Sequence, residues 1–237
     1  MRLSTPIYRL KRRARLLARK QNLPLHRSLD AVAQKEGFQS WAHLAASAAS
    51  RQPANRLLND LRSGDLVLLG ARPGHGKTML SAEMAIEAAR QGRPSFFFSL
   101  QDNRSELRDR FRELGVDPGR ELPTLQLDTS DDIDAAYIID RTSEISGNPF
   151  VVIDYLQVIG EQNDWQSLDR QLVELRAQAK RTGAVIVVLS QIDRAFEPAG
   201  STVPDVANVR CADQLDLSVF GHACFLHEGQ IELSAIA

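Results

Sequence analysis

Directly after the apolar run Asp65-Leu-Val-Leu-Leu-Gly70 stand Ala71, Arg72, Pro73, Gly74, His75, Gly76, Lys77, Thr78 and Met79, and a helical pattern follows at once. Strand, glycine-rich turn and helix in that order make a loop that can wrap a polyphosphate. Small residues at 74 and 76 let backbone N–H groups converge on phosphate oxygens. Lys77 can reach the outer phosphates, and Thr78 offers its hydroxyl to a magnesium ion. The helix beginning there points its positive end at the same anion. A chance glycine-rich turn would not bring strand, lysine, hydroxyl and helix together. The spacing departs from Gly-x4-Gly-Lys-Ser/Thr in one place: counting back from Gly76, the first position is Ala71, and Gly70 falls one residue early.

A triphosphate site needs a second half. Pro149-Phe-Val-Val-Ile-Asp154 is an apolar strand ending in a carboxylate. At the carboxyl end of a parallel strand, Asp154 would face the Mg²⁺ and its waters; an aspartate that merely ends a strand is the plainer alternative. A further strand, Ala184-Val-Ile-Val-Val-Leu-Ser190, runs into Gln191. An amide there can contact the terminal phosphate or its attacking water, or simply cap the strand.

Asp65 to Thr78, Ile153-Asp154-Tyr155-Leu156-Gln157 and Leu189-Ser190-Gln191-Ile192-Asp193-Arg194 together resemble the RecA-like ATPase domain of replicative hexameric DNA helicases of the DnaB type. The resemblance spans roughly residues 55–220, and an alanine at the first loop position is usual in that family. It implies an α/β, RecA-like P-loop fold with a mostly parallel central sheet, ATP and Mg²⁺ as cofactors, DNA as a partner and homo-oligomeric assembly. It implies roles for Lys77 in phosphate neutralisation, for Thr78 and Asp154 in holding the metal, and for Gln191 in sensing the terminal phosphate.

Three departures qualify the resemblance. The family's general base is a glutamate in a Ser-Leu-Glu context, whereas here the text is Phe98-Ser99-Leu100-Gln101-Asp102. Gln101 cannot take a proton from water as a carboxylate does. Asp102 can replace it if the strand end is re-aimed; otherwise the chain is a nucleotide-gated binding or assembly module with little hydrolysis. The family also places a Lys-x-Arg pair late in the domain to reach a neighbour's site. From Asp213 to Ala237 there is no Lys or Arg, which leaves Arg194 and Arg210 as late candidates. Finally, the helicases' N-terminal domain, linker helix and longer C-terminal lobe are not recognisable at full length. A phosphotransferase is the third class, against which the Asp154-Tyr155-Leu156-Gln157 and Ser190-Gln191 spellings argue.

The 237 residues, 43% hydrophobic and 25% charged, read as an ordinary globular chain with one main domain and an appendage. The net charge of −1 hides a split. Residues 1–30 hold nine Lys or Arg against one acid, a net of +8, so the remainder carries −9. Arg9, Lys11, Arg12, Arg13, Arg15, Arg19 and Lys20 lie on a helical pattern and are the candidate DNA-backbone contacts; the same face can instead dock on an acidic neighbour. A transit peptide is the lesser reading of this arginine-rich opening. Cys211 and Cys224 have neither the number nor the spacing for a disulfide framework or a zinc site. With no apolar run of membrane length, the expectation is a cytoplasmic, bacterial-type protein without a membrane partner.

The periodicity predicts three short helices within 1–48, the second capped by Ser28 and ended by Gly37, the third capped by Ser40. A linker over 49–56 and a RecA-like domain over 57–237 follow. Within that domain strands are predicted near 65–70, 95–99, 124–128, 149–154 and 184–190, and helices near 77–91, 103–114, 131–146 and 165–181. Strands near 216–220, 222–227 and 230–235 are expected to close the sheet as an antiparallel meander.

Overall fold

A computed structural model describes residues 7–21, 23–49, 53–154, 156, 165–193, 196, 203–210, 212–228 and 230–236. The chain divides into two compact units, Met1–Arg56 and Leu57–Ala237.

In the first unit α1 (Ile7–Gln21), α2 (Leu25–Lys35) and α3 (Trp41–Ala49) close on Leu10, Ala14, Val32, Ala33, Phe38 and Leu44. The helical spacing of Leu10 and Ala14 puts both inward and leaves Lys11, Arg12, Arg13, Arg15, Arg19 and Lys20 exposed. Arg9 lies within α1. Ser28 is not a cap: it is buried inside α2, which starts three residues earlier behind Pro24 (φ −57°). Proline's fixed φ suits a helix start, where its missing N–H costs nothing. Gly37, at φ 85°, ends α2, and the Ser40 hydroxyl accepts from the His43 N–H at 3.2 Å as α3 begins. Of the linker expected over 49–56, residues 50–52 lie outside the described residues and 53–56 fall in α4 (Pro53–Asp60). Pro53 opens it, and Ala54, Leu57, Leu58 and Leu61 lie along one buried stripe.

The second unit is a seven-stranded sheet in the order β3-β2-β4-β5-β1-β6-β7. The strands are β1 (Leu66–Ala71), β2 (Ser95–Ser99), β3 (Leu125–Asp128), β4 (Phe150–Asp154), β5 (Val185–Gln191), β6 (His222–His227) and β7 (Gln230–Ala235). The first five are joined by α5 (Lys77–Arg90), α6 (Arg104–Glu113), α7 (Ala135–Thr142) and α8 (Trp165–Thr182). The central strands are buried along their whole length, which explains their near-continuous apolar runs. Leu66, Phe98, Ile153, Ile186 and Val188 share one core with Ile138, Leu172 and Leu175 of α7 and α8. On the alternate positions, Phe97 meets Phe111 of α6 edge-on, centroids 5.5 Å apart.

The C-terminal expectation needs correcting. Residues 217–219 form a single 3₁₀ turn rather than a strand, because the Asp216 carboxylate accepts from the Ser218 N–H at 3.0 Å and closes it. The meander reduces to β6 and β7. That pair is antiparallel, but β6 itself runs parallel to β1. Gly70 explains how closely β6 sits: a Cβ on it would lie 2.6 Å from the Phe225 ring. Gly70 is therefore a packing residue of β1, and not the first glycine of the loop. Gly70→Ala should cost about 1–3 kcal/mol in urea unfolding through overpacking, and Phe225→Leu in the same chain should recover part of it. Unchanged stability in Gly70→Ala would refute the close approach.

Candidate nucleotide-binding site

The sheet order sets β5 between β1 and β4, and β4 beside β2. The carboxyl ends of four parallel strands thus line up, with Ala71 opposite Gln191 and Ser99 opposite Asp154 in register. The phosphate loop leaves from β1. Gly74 and Gly76 have φ of 81° and 90°, and a Cβ on either would meet nothing within 4 Å. They are needed for backbone conformation, and the space over them is open. The His75 N–H donates to the Arg72 carbonyl at 3.2 Å, which rounds the loop, and the Leu80 N–H donates to the Gly76 carbonyl at 2.9 Å, which starts α5. Arg72, Pro73, Lys77, Thr78 and Met79 all fall on this loop or in the first turn behind it.

Lys77 is buried at the start of α5. The Thr78 hydroxyl donates to Asp154 Oδ2 at 3.0 Å. Asp154 is 1% exposed, and its Oδ1 has no hydrogen-bond partner among the described residues. Burial pushes its carboxyl above the usual aspartate value, against the pull of Lys77, Thr78 and Arg110; Asp102 pushes the same way as burial. A buried carboxylate oxygen without a donor, beside a threonine hydroxyl, is a hard-oxygen pair suited to Mg²⁺. Such an ion takes one or two protein oxygens and completes its shell with water and phosphate. Thr78 and Asp154 would hold it.

The candidate bases are placed differently from one another. Gln101 is exposed. Asp102 is gripped by Arg110 of α6 through two parallel bonds, Nε to Oδ2 at 2.5 Å and Nη2 to Oδ1 at 2.8 Å. The N–H groups of residues 101 and 102 donate to the Ser99 hydroxyl at 3.3 and 3.1 Å, so the strand end is tied down. The Asp102 hydrogen bond, outweighing burial, also raises the Arg110 pKa. Gln191 ends β5, its carbonyl accepting from the Arg210 N–H at 2.8 Å. Tyr155, Gln157, Arg194 and Cys211 lie outside the described residues. Cys224 sits buried in β6, its thiol pushed up to about 12 by burial, and is unreactive at neutral pH.

One feature of the loop's surroundings escaped the sequence. His75 stacks on His227 at the end of β6, centroids 5.2 Å apart and planes 15° from parallel, and Phe196 meets His227 edge-on at 5.6 Å. Only the parallel pairing of β6 with β1 brings residue 227 beside residue 75, and no local pattern carries that information.

Residues 33–202 match the family described as AAA domain. The chain belongs to that family. Among relatives of this AAA domain chain, the replicative DNA helicase DnaB of Leifsonia xyli is 26% identical over 66% of this chain and 41% of its own length. The replicative DNA helicase DnaB of Treponema pallidum is 25% identical over 82% and 51% respectively. The chain thus spans about half the length, or less, of these curated relatives. A solved structure of an ATPase domain superposes with a TM-score of 0.57 over 83% of this chain and 93% of that one, at 16% identity. The second unit has the RecA-like α/β fold, a mostly parallel sheet ending in one antiparallel pair, and is similar at modest identity to helicases of the DnaB type.

Because burial raises the folded-state carboxyl, ionised Asp154 costs the nucleotide-free fold stability. That fold should lose stability as pH rises from the ordinary aspartate range through the raised value. Asp154→Asn should therefore melt no lower than the parent at neutral pH without nucleotide. It should also lose most of the stabilisation that Mg²⁺ and ATP confer on the parent in thermal denaturation. A clear drop in nucleotide-free melting temperature would contradict the uncompensated burial.

Proposed function

We propose that the second unit binds ATP with Mg²⁺ and acts as a DnaB-type ATPase associated with DNA. The observation that carries the reading is the junction of Lys77, Thr78 and the buried, half-partnered Asp154. Lys77 neutralises the outer phosphates, Thr78 and Asp154 hold the metal, and Gln191 senses the terminal phosphate from the next strand. The metal supplies charge neutralisation on the phosphate oxygens when bound. The loop glycines keep backbone N–H groups aimed at those oxygens.

A second reading, a nucleotide-gated binding or assembly module, is favoured by the base region. Gln101 is no base, and the Asp102 carboxylate is committed to Arg110. Turnover by Asp102 would require that pair to open, so basal hydrolysis is slow in this reading. Arg9, Lys11, Arg12, Arg13, Arg15, Arg19 and Lys20 of α1 are assigned to the DNA backbone. Contacts of that kind are blind to sequence and weaken steeply with salt. Assembly into a homo-oligomer would let a neighbour supply the cation that completes the site.

Steady-state ATP turnover with Mg²⁺, with and without single-stranded DNA, tests the proposal against a Lys77→Ala blank. That variant should bind ATP at least about tenfold more weakly, or ~1.4 kcal/mol. Turnover that DNA stimulates and Lys77→Ala abolishes supports the ATPase. Absence of turnover where ATP binds, followed by a large gain in Gln101→Glu, establishes the gated module with only its base missing. Failure of the parent chain to bind ATP at all would sink both readings.

A further inference from the structure

A cavity of about 560 Å³ is built on the edge strand β3, and three strands (β2, β4 and β5) separate β3 from the strand that feeds the phosphate loop. Arg104 and Arg108 reach it from α6, Arg120 from the turn after α6, and Arg141 from the last turn of α7. No carboxylate lines it, and Leu125, Leu127 and two prolines supply apolar wall.

The arginines are not all spent on the fold. Arg108 Nη2 lies 3.1 Å from Asp117, and Arg141 Nη2 lies 3.7 Å from Asp128. The guanidinium groups of Arg104 and Arg120 make no hydrogen bond or ion pair among the described residues. Arg110 and Arg112, which share α6 with Arg104, are paired with Asp102 and Asp109. Arg104 and Arg108 stand one turn apart on α6, where like charges repel rather than stabilise. Single exposed arginines are ordinary. Four converge on this concavity, and with Arg108 and Arg141 paired to Asp117 and Asp128, the two guanidinium charges of Arg104 and Arg120 remain for an anion to relieve.

We propose that this cavity is a second anion site and that it takes the phosphates of a nucleotide. Guanidinium forks match phosphate oxygens two at a time, which a lysine cannot do. The volume falls within the range of small-ligand pockets, roughly 300–1,000 Å³, and exceeds the needs of a lone inorganic anion. The apolar wall offers a surface to a base or sugar while Arg104 and Arg120 hold the charge. This assignment uses no residue of the phosphate loop, so it stands or falls separately from ATP binding there.

Equilibrium binding of ADP, pyrophosphate and a 5′-phosphorylated single-stranded oligonucleotide tests it. The chains are the full-length parent, Lys77→Ala, Arg104→Gln/Arg120→Gln, and the triple variant. ADP and pyrophosphate should retain a site in Lys77→Ala that the added arginine substitutions weaken at least tenfold. Both arginines are exposed, and matching circular dichroism and melting curves confirm that their loss spares the fold. Unchanged residual binding in the triple variant overturns the proposal. So does an arginine-dependent site that accepts the oligonucleotide but not ADP, since it would assign the cavity to a strand instead of a free nucleotide.

Discussion

Burial of the Asp154 carboxylate at the carboxyl edge of the sheet is the constraint on which the nucleotide site depends. An isolated carboxylate is expensive to hold away from water. Here the cost is only partly offset, by Thr78 on one oxygen and by the nearby charge of Lys77. Both come from the first two residues of α5, so the loop before it must deliver the helix start against the end of β4. The left-handed backbone at Gly74 and Gly76 makes that delivery possible. The other oxygen faces no donor among the described residues, and it is the atom to which the proposed function assigns the metal ion.

The same edge fixes the base region in a second charged arrangement. The Ser99 hydroxyl holds the two N–H groups that follow it, and Arg110 clasps Asp102 bidentately. A carboxylate in such a clasp is well oriented, but both of its oxygens are already engaged by the guanidinium. In the proposed function, binding and turnover therefore fall to separate groups: the loop and Asp154 to the phosphates and the metal, and the segment after β2 to the water.

Much of this architecture was legible in local sequence. The strands ending at Ala71, Ser99, Asp128, Asp154 and Gln191 are short apolar runs bounded by helical periodicity, and period and length alone place them within a residue or so. The loop was legible because its chemistry is contiguous: glycine, lysine and threonine act within a few residues of one another. The misreadings occurred where two local rules compete. Ser28 has the chemistry of a cap, but Pro24 starts the helix first, and its apolar stripe draws Ser28 inside. Leu217-Ser-Val-Phe220 has the composition of a strand, but Asp216 ties it into a turn. Residues 53–56, the end of the expected linker, look like part of it until Ala54 is seen to lie on α4 with buried Leu57 and Leu58.

By itself the sequence determined the fold class, the glycine-rich loop between β1 and α5, the strand-end aspartate and the absence of the expected glutamate. Each of these is written in residues close together along the chain or in a hydrophobic period. Tertiary structure alone decided which distant groups meet. The parallel pairing of β6 with β1 stacks His227 on His75 and makes Gly70 a packing residue. The packing of α6 and α7 against β3 gathers Arg104, Arg108, Arg120 and Arg141 around one cavity. Such meetings depend on strand order and helix rotation, which no window of local sequence encodes.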